Sequence, residues 1–217
     1  MSVLMLRIEG PMQAWGTHSH FTERDTSLEP TKSGIIGLLC SALGRKRNED
    51  IGDLVSLRMG VRVDREGKRM KDFHTTLNVP KADPKARPGT VISNRYFLSD
   101  ACFLIGLEGD GEILEPILSA LNDPNWIVFL GRKSFPPSQP ILLSGIMEGK
   151  DLKRVLMEYE WLGREEDDPP KKLRTVIETF EDTGDVRMDV PISFVERTFG
   201  PRLVKTVWVD TPIKEDS

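Results

Sequence analysis

The most informative chemistry in this 217-residue sequence is a pair of adjacent cations on a stiff turn. In the stretch from Trp126 to Pro137 an apolar run (Trp126 to Leu130) ends at Gly131. Arg132 and Lys133 follow, and Pro136 and Pro137 fix the exit. Cations held on such a turn lose less entropy than free side chains when they engage phosphate. The stretch is not a P-loop, because the first glycine of that motif is missing and position 132 is arginine. A solvent-facing turn would use the same residues. A second anion site is suggested at Pro30-Thr31-Lys32-Ser33-Gly34, ahead of the helically spaced Ile35, Ile36, Leu39 and Leu43. There Lys32, the Ser33 hydroxyl and free backbone N–H groups meet at the positive end of a helix. Capping by Thr31 or Ser33 explains the hydroxyls equally well. It does not explain Gly34 and Gly37, poor helix formers that point to close approach by a neighbour or ligand. Gln13 and Trp15, on a loop bounded by Gly10 and Gly16, offer an amide and a large aromatic that could stack on a base or plug the core.

The three histidines invite a catalytic or metal reading. His18 and His20 could chelate a metal, but no third ligand is evident. His74 could serve as a general base in RNA cleavage, yet a lone strand histidine more often hydrogen-bonds or stacks. Cys40 and Cys102, the two cysteines, sit inside apolar runs and read as buried thiols of a reducing cytoplasm. No disulfide, cysteine-ligated zinc, thiol nucleophile or cofactor is expected.

These residues must be held by ordinary globular elements, since 38% of residues are hydrophobic and 29% charged. A chain of this length buries about 70% of its unfolded surface. No apolar run approaches the roughly 18 residues of a membrane span, and the N-terminus lacks signal-peptide features. Charge is uneven: residues 31–95 hold 14 lysines and arginines against 7 acids, within a chain of net charge -4. Such a basic segment is the footprint of a phosphate-facing surface, or simply a solvated face.

Buried strands are expected over 3–8, 103–107 and 126–130 and a half-buried, alternating strand over 57–63, with helices over 35–43 and 113–121. Strands at 73–79 and 90–96 flank a mobile basic tip, 80–89, carrying Lys81, Lys85 and Arg87. Nine residues per strand reach roughly 30 Å, enough for a projecting arm ordered mainly by a partner. The series β, α, β, (arm), β, α, β is that of an α+β, ferredoxin-like fold common among RNA-binding modules. A helix over 151–161, a charged loop over 163–172 with disorder expected at 165–170, and strands at 174–180, 185–190 and 203–209 complete the chain.

Five segments in order carry a resemblance: 6–16 (LRIEGPMQAWG), 30–39 (PTKSGIIGLL), 72–75 (DFHT), 95–103 (RYFLSDACF) and 130–138 (LGRKSFPPS). The chain resembles the type I-E branch of the fifth CRISPR-associated (Cas) family, RAMP-type proteins that cap the crRNA 5′ end in Cascade. The resemblance implies an RRM-like palm (1–140), an inserted β-hairpin thumb (71–95) and a small C-terminal β-rich extension (141–217). It implies grip on the 5′ repeat-derived handle and a thumb lying over the guide. It implies CasC backbone and CasA large subunits as neighbours, with CasB and CasE in the complex and target DNA met indirectly. Carried over by motif, Gln13 and Trp15 face the handle, and Lys32 and Ser33 mark a phosphate-binding helix start. His74, Arg95 and Tyr96 lie at the thumb base, and Gly131, Arg132 and Lys133 form the turn. Phe73 stands where the family often has tyrosine. Type I-C relatives cut precursor crRNA with a set in which Lys and His are adjacent. Here the residues preceding the histidines are Thr17, Ser19 and Phe73, so a cytoplasmic binder that does not cut is expected, with a metal-independent endoribonuclease as the rival.

Overall fold

A computed structural model describes residues 1–17, 22–83, 85, 87–164 and 166–213. In chain order its elements are β1 (Ser2–Gln13), β2 (Glu23–Arg24), α1 (Lys32–Leu43), α2 (Gly52–Ser56) and β3 (Arg58–Arg65). Then come β4 (Lys68–Val79), β5 (Gly89–Gly109), α3 (Gly111–Asn122), β6 (Met147–Glu148) and α4 (Leu152–Glu158). The chain closes with β7 (Lys172–Thr179), β8 (Asp185–Ser193) and β9 (Thr198–Asp210). All strands join one sheet in the order β6-β1-β5-β3-β7-β9-β8, with β2 and β4 attached to β5. The pairing is antiparallel except between β2 and β5. The molecule is thus a mixed α/β protein built on a large antiparallel sheet with few helices.

Both faces of the central strands are covered, so these strands read as continuous apolar runs rather than alternating ones. Leu4, Leu6, Ile8, Phe103 and Ile105 pack on the side of α1 and α3. Val3, Met5, Cys102 and Leu104 pack against Leu152 and Leu156 of α4. Both thiols are free and buried. Burial pushes Cys40 up to about 11, and Cys102 higher still.

α1 begins and ends as its sequence dictates. Thr31 Oγ1 accepts the Gly34 N–H at 3.2 Å, and Gly44 closes the helix at φ 74°. α4 is shorter than expected because a side chain takes its end: Arg62 donates to the carbonyls of Leu156, Tyr159 and Glu160 at 2.6–2.9 Å. Within the loop expected to be disordered, Asp167 lies 3.3 Å from Arg65 Nη1; Glu165 lies outside the described residues.

Three further expectations are corrected. The strands expected at 90–96 and 103–107 are one continuous 21-residue strand, β5, and the hairpin pairs from Lys68↔Ser99, well beyond 71–95. The segment 126–130 is not a buried strand, since Trp126 is 47% and Ile127 84% exposed. Its backbone caps a helix instead: the Asn125 and Trp126 N–H groups donate to the Ala42 and Ser41 carbonyls near the end of α1. The sheet position beside β1 is taken by 141–148, through Arg7 N–H to Ile141 O (2.6 Å), Leu143 N–H to Met5 O (3.1 Å) and β6. Residues after 140 therefore supply both edges of the sheet, β6 at one end and β7, β9 and β8 at the other.

Arg62 and Asp64 are paired at 2.7 Å with both side chains fully buried. Removing one partner strands the other in the interior, at a cost of about 3–5 kcal/mol. Arg62→Met should therefore lower the urea midpoint sharply, and Arg62→Met/Asp64→Leu should recover part of the loss. Equal midpoints for wild type and single variant would refute the assignment.

Candidate nucleic-acid interface

The β4–β5 hairpin exposes nearly every residue of β4. Residues directly opposite in an antiparallel ladder share a face. Asp72 with Arg95 and His74 with Ser93 therefore lie on one side, and Lys71 with Tyr96 and Phe73 with Asn94 on the other. Arg95 and Tyr96, expected together at the hairpin root, face opposite ways. Arg95 Nε donates to Ser93 Oγ at 3.2 Å, while the Arg69 guanidinium sits 4.5 Å over the Tyr96 ring. His74 is exposed, as are Lys81, Lys85 and Arg87 near the tip. Positions 84 and 86 of the tip lie outside the described residues.

At the root, cations converge. β2 runs parallel to β5 with Arg24 opposite Arg95. Nearby, Gly131 turns the chain at φ 85°, and a Cβ there would collide with the Ala14 carbonyl oxygen. The turn is closed by Leu130 N–H to Phe135 O and Phe135 N–H to Arg132 O, each 2.8 Å. Arg132 Nη2 donates to the Tyr96 carbonyl at 2.7 Å, and its guanidinium lies 5.3 Å from the Phe135 ring centre. Burial, then repulsion from Arg95 and Arg24, depresses the Arg132 pKa, with Asp72 partly opposing. Three like charges gathered at one place cost energy unless an anion compensates them, which is the electrostatic character of a phosphate site. Lys133 is exposed beside them.

Other residues expected at the interface are drawn inside. Gln13 is fully buried: Nε2 donates to Ala101 O at 2.8 Å and Oε1 accepts the Trp15 indole N–H at 3.2 Å. Trp15 is 1% exposed and packs on Gly34, where a Cβ would sit 2.7 Å from its ring. Lys32 is 3% exposed, with Nζ at 2.9 and 3.0 Å from the two Glu178 oxygens. Its backbone N–H donates to Asp189 Oδ2 at 2.9 Å. The anion expected at the start of α1 is thus supplied by the protein itself, so Lys32 is not left open as a phosphate site, and Gln13 and Trp15, expected to face the handle, lie in the interior. Burial lowers the Lys32 pKa against the pull of Glu178. Burial would raise Asp189, but hydrogen bonds from Arg202 at 2.6 and 2.9 Å outweigh it and hold the carboxyl low.

The basic segment divides in the same way. Arg45 pairs with Asp53, Arg58 with Glu108, Arg62 with Asp64 and Arg65 with Glu9. The local positive balance therefore does not all reach one surface. What reaches the hairpin root is Arg95, Gly131, Arg132 and Lys133, joined by Arg24. Arg24 was missed in sequence because only the β2–β5 pairing brings an irregular segment there. Ser33, half-buried with Oγ 3.3 Å from Thr31 Oγ1, opens with Gly131 onto a groove along α1. His18 and His20 lie outside the described residues, and no cluster of three or more potential metal ligands occurs among the described ones.

A family model described as CRISPR-associated protein (Cas_Cas5) matches residues 3–205. The chain belongs to the Cas5 family. Among its relatives, the CRISPR system Cascade subunit CasD of Escherichia coli (strain K12) is 32% identical over 179 residues, 75% of this chain and 79% of CasD. A solved structure described as a Cas protein superposes with a TM-score of 0.78 at 42% identity, covering 99% of this chain and 98% of that one. A chain of a CRISPR RNA-guided surveillance complex gives 0.80 at 34% identity, with 97% and 91% covered. No helix among the described residues of this Cas5 protein is long and apolar enough to cross a membrane.

Gly131 is where the Cas5 turn is least tolerant. Gly131→Ala forces a side chain into left-handed backbone and against Ala14, so it should cost about 1–3 kcal/mol and lower the melting temperature. An unchanged thermal midpoint would show that the turn is not held as described.

Proposed function

We propose that this Cas5 chain is a non-catalytic crRNA-binding subunit of a type I-E Cascade complex, gripping the 5′ repeat-derived handle and capping the backbone filament. The observation that carries this reading is the convergence of Arg24, Arg95 and Arg132 at the hairpin root, where their mutual repulsion favours a polyanion. In this reading β6-β1-β5-β3 with α1 and α3 form the ferredoxin-like palm. The β4–β5 hairpin is the thumb, and β7, β9 and β8 are the extension. Lys133 and the tip residues Lys81, Lys85 and Arg87 extend the phosphate track, and His74 and Tyr96 lie along the thumb on opposite faces. The handle occupies the root, the thumb lies over the guide, CasC and CasA are the neighbours, and CasB and CasE complete the assembly.

Binding without cutting is supported by the surroundings of His74. It is exposed on a strand, its ladder partner is Ser93, and no lysine adjoins it in sequence. General acid–base work needs a positioned partner of matched pKa.

Filter binding of a labelled repeat-derived RNA across a salt series tests both points. Lys133→Ala should weaken binding irrespective of sequence and lower the salt slope by about 0.7 if it contacts one phosphate. Arg24→Ala and Arg132→Ala should act in the same direction. An unchanged slope in all three would remove the assigned role of the root. In EDTA the RNA should stay intact; product that accumulates with wild type but not with His74→Ala would favour the nuclease instead.

A further inference from the structure

Nothing among the described residues requires Gly37 to be glycine. A Cβ at Gly34 would strike Trp15, but one at Gly37 would meet only Phe194 Cζ, at an ordinary 3.8 Å. A mid-helix glycine costs stability relative to alanine, so a glycine that no packing demands points to something that approaches from outside. The space above it is a groove of about 490 Å³ along α1, a size typical of small-ligand sites. Its aromatic walls are Trp126, Phe129 and Phe194, and its cations are Arg45, Lys46, Arg47 and Arg197. No carboxylate among the described residues lines it.

Trp126 is the unusual wall. The backbone N–H groups of Asn125 and Trp126 are anchored on the Ala42 and Ser41 carbonyls respectively, and Ser41 Oγ donates to Ile127 O at 3.3 Å. A pinned backbone thus presents a half-exposed indole beside cations, a low-entropy platform for a flat, anionic guest. Gly131 also lines the groove, so the groove opens one residue from Arg132 and the cation cluster at the hairpin root.

We infer that this groove is a base-stacking subsite: one unpaired nucleotide of the RNA lies over Gly37 with its base against Trp126 and its phosphate toward Lys46, Arg47 and Arg197. The inference rests on the RNA-binding reading above and adds a specific subsite to it. Lys46 and Arg47 are the phosphate partners of choice, because Arg45 is already paired with Asp53 at 2.5 Å. Base–aromatic stacking tolerates any base, so the subsite fixes the position of a nucleotide rather than its identity.

The test uses the full chain and a series of handle-length RNAs in which one abasic ribose is moved position by position. Trp126→Ala should weaken binding roughly 5- to 100-fold, with Trp126→Phe retaining most of the affinity. One abasic position should weaken wild type by a similar factor and have no further effect on Trp126→Ala. Gly37→Ala should raise the melting temperature by about 2–4 °C while weakening RNA binding, a combination no purely structural role produces. If Gly37→Ala and Trp126→Ala bind RNA like wild type while Arg132→Ala does not, the subsite is refuted and the handle-binding reading stands. If wild type itself binds no RNA, both fall. If the variants lose co-purifying protein subunits but keep RNA affinity, the groove holds a protein and the inference is overturned.

Discussion

One hydrogen-bonded strand organises this molecule. β5 runs 21 residues without a break and pairs with β1, β3, β4 and β2. Its second half is locked between β1 and β3, with Ala101 to Leu107 buried. Its first half leaves the core as one arm of the hairpin. A strand shared in this way carries the hairpin directly out of the sheet, while the register of its core half with β1 and β3 decides which of its side chains are buried. The left-handed Asp100 (φ 61°) lies between the halves, its carbonyl accepting from Arg65 Nε at 2.7 Å.

The cation cluster depends on the same strand. Arg95 belongs to it, Arg24 is carried beside it by β2, and Arg132 is moored to it through the Tyr96 carbonyl. Each arginine alone would be an unremarkable surface charge. Held together by backbone geometry they generate a local field that a net charge of -4 conceals. Such a field steers and binds polyanions without needing an overall basic protein.

The interior shows the opposite treatment of charge. Lys32, Glu178, Arg202 and Asp189 form a buried network joining α1 to β7, β8 and β9. It satisfies the free N-terminus of α1 with a carboxylate from another part of the chain. Breaking such a network by removing one member costs more than the network contributes as a whole, so it specifies how the last three strands dock rather than adding much stability.

Local chemistry was legible from the amino acids. Apolar runs marked most of the strands, Thr31 and Gly44 bounded a helix, and Gly131-Arg132-Lys133 announced a rigid cationic turn, because these depend on neighbours within a few residues. The same local rules misled at 126–130, where an apolar run caps α1 instead of joining the sheet, and at Lys32, where a helix start reads as an anion site. Both outcomes depend on partners far along the chain: the ion that meets Lys32 Nζ is 146 residues away, and the carboxylate on its N–H is 157 away. Arg24 became part of a site only through the parallel pairing of two residues, which no periodicity encodes. Propensity and spacing decide what each segment can be. Only long-range pairing and burial decide which charges are neutralised inside and which remain to meet a ligand.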